Sequence, residues 1–228
     1  MPVMTMTYSR VSKAPQRGFS LLELLVVLAI LMIIVAVVTK SAIQLQQRNA
    51  TETNKVDLTQ ETRQFMDQIV KDLHHAGFPG LNMFDVATST ANPNNVALGL
   101  TSVNTTAITF EGDVDGSGKV SQVSVQLNPA GGPCPCTLRR GAVDKTIGGA
   151  PVYYTEVDNV MNLDIFTAYQ FDGTKINLAT SSCATAATCK ALNIKTIGLK
   201  VNLRSNSLDP IDQAYSNITM QTEAKINN

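Results

Sequence analysis

The stretch Phe19–Val38 reads FSLLELLVVLAILMIIVAVV. Twenty apolar residues are about what a helix needs to cross a bilayer, and this run constrains the chain more than any other feature. Residues 1–18 carry Arg10, Lys13 and Arg17 and no acid, so the flank before the run has a charge of +3. That is the pattern of a cytoplasmic flank. A cleaved secretory signal has a shorter apolar region followed by a small-residue cut site. Here the small residue, Gly18, precedes the run. A cut after Gly18 would discard residues 1–18 and keep the hydrophobic helix. Glu23 is the exception within the run, and a carboxylate in an apolar span is costly enough to demand a partner. After such a cut Phe19 bears a new α-amino group and Glu23 is the fifth residue. The two groups can neutralise each other, within one chain or between neighbouring chains.

Arg17-Gly18-Phe19-Ser20-Leu21-Leu22-Glu23 followed by an apolar run resembles the class III signal of type IV prepilins and pseudopilins. The resemblance implies that a membrane prepilin peptidase cuts between Gly18 and Phe19 and methylates the Phe19 nitrogen. It further implies an assembly role for Glu23.

A helix is expected to continue beyond the span, because residues 39–76 contain neither Pro nor Gly. Phe65, Ile69, Leu73 and Ala76 fall on one stripe, widened by Met66 and Val70. Gly77-Phe78-Pro79-Gly80 is a stop. A helix over about 20–76 would measure roughly 85 Å at 1.5 Å per residue. Residues 82–106 read as a long polar loop with short ordered pieces. Ala107–Phe110 and Val120–Leu127 read as strands flanking a Gly/Asp turn. Alternation also marks Met161, Leu163 and Ile165 within a strand over 157–169, then Ile197 to Leu203 and Ile218 to Ile226. One-sided alternation indicates an antiparallel sheet with one covered face, and the long helix is the expected cover. The fold class is therefore α+β: a long N-terminal transmembrane or filament helix packed on an antiparallel sheet head. The expected organisation is a leader over 1–18, a membrane or filament-core helix over 19–38, an amphipathic continuation over 39–78 and a β-rich head over 79–228.

Three constellations invite chemistry. Asp113, Asp115, Ser117 and Lys119 stand at positions 1, 3, 5 and 7 of a calcium-loop pattern, with Gly118 at position 6. Position 12 is Ser124 rather than Glu, and a Gly/Asp hairpin turn explains the same residues. Calcium is the one cofactor the sequence suggests. Cys134, Cys136, Cys183 and Cys189 read first as disulfides of a translocated domain. Local pairing and crossed pairing between the clusters are both open, and a four-thiolate zinc site is the rival. His74 and His75 are neighbours at a helix end and diverge by about 100°, so they do not converge on one site. No nucleophile–base pair, phosphate loop or dinucleotide fingerprint is evident, and a non-enzymatic protein is expected. Beyond residue 18 the charge is −3, which argues against direct nucleic-acid binding.

The order Asp72-Leu73-His74-His75-Ala76-Gly77-Phe78, Ile108-Thr109-Phe110, Thr137-Leu138-Arg139-Arg140, the 157–169 strand and Ile197-Gly198-Leu199-Lys200-Val201 resembles the PilW-type minor pilins. GspJ-type pseudopilins of type II secretion are similar in plan. This resemblance implies a subunit that helps prime pilus assembly, at or near the tip. Its partners would be other pilins, the peptidase, the inner membrane and the pilus assembly machinery. The head would first face the periplasm, then leave in a pilus or stay in a periplasmic pseudopilus. A type II secretion role and a tip adhesin or ligand-binding role are the alternatives. Motility, adhesion and DNA uptake would belong to the whole fibre.

Overall fold

The structure, a computed structural model, describes Gly18, residues 20–209 and residues 213–226. Phe19 and residues 1–17 of the expected leader lie outside the described residues. Helix α1 runs Leu21–His74. The chain divides into two units, residues 1–46 and residues 47–228. In the first, Leu21 to Val38 are exposed along their length. The second contains the C-terminal part of α1 and the sheet.

Within the second unit the expected stripe is the buried face of the helix. Leu58, Phe65, Met66, Ile69 and Leu73 are buried, and Phe65 to Ala76 share one core with the inward side chains of the sheet. Polar helix formers sit comfortably between them: the Thr62 hydroxyl donates to the Leu58 carbonyl at 2.7 Å, so its burial leaves no orphan donor. The helix ends where expected. Gly77 takes φ +81°, open to glycine at little cost, and its N–H donates to the Glu111 carbonyl.

Nine strands follow: β1 Gly99–Val103, β2 Ala107–Gly112, β3 Ser121–Asn128, β4 Cys136–Asp144, β5 Val152–Val160, β6 Phe166–Gln170, β7 Lys175–Ile176, β8 Ile194–Leu208 and β9 Tyr215–Lys225. All pairings are antiparallel, in the order β1-β2-β3-β4-β5-β8-β6-β7, with β9 also on β8. β8 organises the second half. Its Leu199 pairs with Phe166 of β6 and Thr222 of β9, and its Leu203 with Val160 of β5 and Ile218 of β9. Strands β5 and β6 therefore share one edge of β8, and β9 takes the other. Ile197, Leu199, Val201 and Leu203 are buried as their alternation implies. The α+β class, with a long apolar N-terminal helix and an antiparallel sheet, is the one the sequence leads to.

One local expectation fails. Met161–Ile165 is not strand; it is the link between β5 and β6. Its backbone is satisfied elsewhere: Met161 N–H goes to the Asn202 carbonyl, while Ile165 and Phe166 N–H both go to Thr105. The Asn162 amide clasps the Lys200 carbonyl and the Asn202 N–H. Asn159 takes φ +56° within β5, and Val160 after it is the last residue of that strand to pair. The 82–106 stretch does hold short ordered pieces: Asp85 caps a short helix α2 (Val86–Ala91) by accepting from Thr88 N–H. There too lies β1, whose Leu100 and Val103 are fully buried.

Two polar ties fix the end of α1 against the sheet, and a third ion pair braces the strands beside it. Asp72 is fully buried and accepts from Arg140 of β4, Nε at 2.8 Å and the terminal nitrogen at 2.7 Å, while Gln68 donates to its other oxygen at 2.6 Å. Ala76 pairs with Gly112, and a Cβ on Gly112 would overlap the His75 carbonyl. Nearby, Glu111 meets Lys145 at 2.7 Å, and that ammonium also donates to the Val96 carbonyl. Removing one partner of a buried pair leaves an uncompensated charge, which costs roughly 3–5 kcal/mol. Arg140→Leu is therefore expected to lower the stability of the full chain in detergent by about that much. The double variant Asp72→Leu/Arg140→Leu should recover most of the loss. Denaturant titration followed by circular dichroism measures both; a double variant no better than the single would contradict the account.

Candidate functional site

The candidate site begins at the N-terminal end of α1. Gly18 is exposed, and nothing would meet a Cβ placed there. Leu24 N–H donates to the Ser20 carbonyl, so the helical bonding starts right after the Gly18–Phe19 boundary. Glu23 lies in the first turn, exposed, where a carboxylate also complements the helix dipole. The geometry of Phe19 against Glu23 lies outside the described residues. α1 is long and apolar enough to cross a membrane, and its most apolar window is wholly unburied. In water such a surface would aggregate; it requires lipid or other apolar helices.

The residues singled out between β2 and β3 do gather in one turn. Asp113 Oδ2 accepts from Gly118 N–H at 2.9 Å, Asp115 Oδ1 from Ser117 N–H at 3.0 Å, and Ser117 Oγ from Lys119 N–H at 3.3 Å. Gly116 and Gly118 take φ +72° and +79°, values that favour glycine. The Ser117 hydroxyl, and then its N–H, hold the Asp115 carboxyl below the usual carboxylate range; the neighbouring Asp113 carboxyl acts in the same direction. Ser124, at position 12, is not part of the turn: it is buried in β3 with its hydroxyl on that of Thr109.

The cysteines close locally. Cys134 pairs with Cys136 and Cys183 with Cys189; the crossed pairing and the four-thiolate zinc set are not what forms. Cys183 exchanges backbone hydrogen bonds with Val103 of β1. Cys189 sits on α3 (Ala186–Ala191), which Thr185 and Thr188 cap reciprocally. That disulfide fastens α3 to the loop beside β1. His74 closes α1 and the His75 carbonyl accepts from Phe78 N–H. Among the described residues no three His, Cys, Asp or Glu side chains form a metal cluster.

Sequence reasoning missed Asp72, Arg140, Glu111 and Lys145. The one available signal was Asp72 itself, an acid inside an apolar stripe. Also unforeseen is an open groove of about 1180 Å³ lined by Phe78, Leu81, Met83, Leu98, Phe171 and Lys190; no acid, histidine or thiol lines it.

Residues 13–39 match the family model described as prokaryotic N-terminal methylation motif. The match supports a type IV pilin or type II pseudopilin-like chain that prepilin peptidase processes. It covers the leader boundary, Glu23 and the apolar run in one register. No curated protein and no solved structure matches the chain.

Two outcomes follow from the head. Peptide mapping without reduction should recover Cys134 linked to Cys136 and Cys183 to Cys189, with no link between the clusters. Cys189→Ser should cost ~2 kcal/mol, the loop-closure value for so short a ring. The second outcome concerns Glu61 of α1, whose carboxyl is raised first by burial and then by Asp158 and Glu156 of β5. A raised carboxyl weakens the fold above its folded value, and the penalty fades as pH falls towards the unfolded value of 4.5. Glu61→Gln should thus stabilise at neutral pH, by no more than about 0.5 kcal/mol because the residue is largely exposed. Below pH 4.5 the gain should vanish. Melting curves across pH check this, and a gain that grew on acidification would contradict it.

Proposed function

We propose that this chain is a non-enzymatic minor pilin of a type IV pilus that helps prime assembly, near the fibre tip, with its head first exposed to the periplasm. One observation carries the reading: Gly18, Glu23 and an unburied apolar helix stand in a single register within the matched segment 13–39. The proposed chemistry is simple. Peptidase cleavage after Gly18 frees the Phe19 amine, and methylation follows on that nitrogen. The Glu23 carboxylate then supplies the charge that neutralises the ammonium. Each group alone is expensive in an apolar environment; paired, they are cheaper, and the cheapest pairing draws one subunit's helix against another's. The 47–228 head, with its disulfides and covered sheet, suits a surface-exposed subunit. PilW-type kinship is part of this proposal, supported by the residue order through the head. A pseudopilin of type II secretion is the second reading, since it shares the same signal. Deleting the gene and counting surface pili separates the two: loss of pili supports the pilin, and loss of secretion with pili intact supports the pseudopilin.

The expected molecular outcomes are specific. Intact mass of the mature chain should begin at a methylated Phe19, and a chain that retains Arg17 would contradict processing. Glu23→Ala should insert into the membrane at least as well as the parent, because a charge is gone from the apolar run. It should nevertheless fall several-fold in sheared fibres relative to the membrane pool. Equal recovery of variant and parent would remove Glu23 from assembly.

A further inference from the structure

We propose that the 113–119 turn is a calcium site whose inner ligand is the buried carboxylate of Asp113. Asp113 follows the end of β2 and is only 6% exposed. Its two oxygens have different fates. Oδ2 accepts from Gly118 N–H; Oδ1 is buried with no hydrogen-bond partner, the only carboxylate oxygen in that condition among the described residues. A buried, unpartnered carboxylate oxygen is costly, and native structures pair such groups or give them a cation. The asymmetry matters chemically. The bond to position 6 orients the carboxylate, and the remaining oxygen is the one a cation takes.

The other donors lie in the same short loop. The Asp115 carboxylate is two residues on in the same turn, its Oδ1 accepting from Ser117 N–H. Ser117 offers Oγ and Lys119 its carbonyl, the position-5 and position-7 oxygens of a calcium loop. The Lys119 ammonium is 3.9 Å from Asp144 Oδ2, so the positive charge of the loop is directed to an acid of β4. All these donors are hard oxygens, and nitrogen and sulfur donors are missing from the set, which favours calcium over zinc. Ser124 supplies no bidentate carboxylate, because its hydroxyl is held by Thr109 inside the sheet. Waters must complete a shell of 6–8 oxygens, and a flexible shell of this kind suits calcium better than magnesium. With two carboxylates the affinity falls in the roughly 10⁻⁴–10⁻³ M range of extracellular modules.

The test uses the full chain in detergent micelles, melted in calcium chloride, in magnesium chloride and in chelator. Calcium at tenfold its Kd should lower the unfolding equilibrium constant about 11-fold, with a smaller effect from magnesium. Asp113→Asn keeps the side-chain volume and an oxygen for Gly118, and should lose the calcium shift. Asp115→Ala, at an exposed position, should lose most of it too, and carries the test should Asp113→Asn not fold. Parent protein that melts identically in calcium and chelator overturns the site. So does an undiminished calcium shift in Asp115→Ala, which would place binding elsewhere.

Discussion

The head depends on how the second half of α1 is held to the sheet, and the Asp72–Arg140 pair is the directional part of that hold. Burial of Phe65, Ile69 and Leu73 supplies most of the favourable free energy, at about 25 cal/mol per Å² of apolar surface. Hydrophobic burial is non-directional. A helix with an apolar arc wide enough to include Met66 and Val70 can roll by tens of degrees and lose little of it. Asp72 removes that freedom. Fully buried, it is tolerable in one rotation only, the one in which Arg140 reaches Oδ2 and Gln68 reaches Oδ1. A pair like this adds little net stability over an apolar replacement. Its value lies in excluding the wrong rotations, each of which would bury a bare carboxylate.

That division of labour explains what the sequence discloses. Periodicity reports burial, so the 65–76 stripe and the alternation of Ile197 to Leu203 are legible. Backbone chemistry is local, so the stop at Gly77 and the turn at Asp113–Gly118 are legible too. Partnerships across 68 positions, such as Asp72 with Arg140, leave no spacing signature. The four cysteines pair locally, yet their count alone leaves three pairings open. Met161, Leu163 and Ile165 show the converse failure: their alternation is real, but Asn162 offers the backbone of β8 a better bargain than a continuous ladder does. β1 escaped notice because Gly-Leu-Thr-Ser-Val is short and only its Leu and Val are large. Its place is decided by β2, not by its own propensity.

The N-terminal signal is legible for a different reason. Its residues are contiguous in the chain, and its pattern involves no residue of the head. The methylation motif is matched on contiguous residues, 13–39, and the cost of Glu23 follows from the apolar run alone. Such a site needs no tertiary structure to be recognised.

The same helix docking accounts for the buried oxygen in the 113–119 turn. Once α1 is fixed, Gly77 N–H reaches the Glu111 carbonyl and Asp113 N–H reaches the Phe78 carbonyl. The chain just past the helix thus lies along the end of β2, and Gly112 must stay bare to let the His75 carbonyl in. Asp113, next in line, is covered as a consequence. Asp144 and Asp172 each accept from the N–H two residues on, as Asp115 does, whereas Asp113 accepts from Gly118, five residues on; neither Asp144 nor Asp172 has a buried, unpartnered oxygen. What separates Asp113 from them is both its longer-range bond and its burial. Loosening the helix end would expose Oδ1 to water and remove the reason for a cation to bind there. Occupancy of the turn and docking of the helix are then thermodynamically linked, and each should strengthen the other.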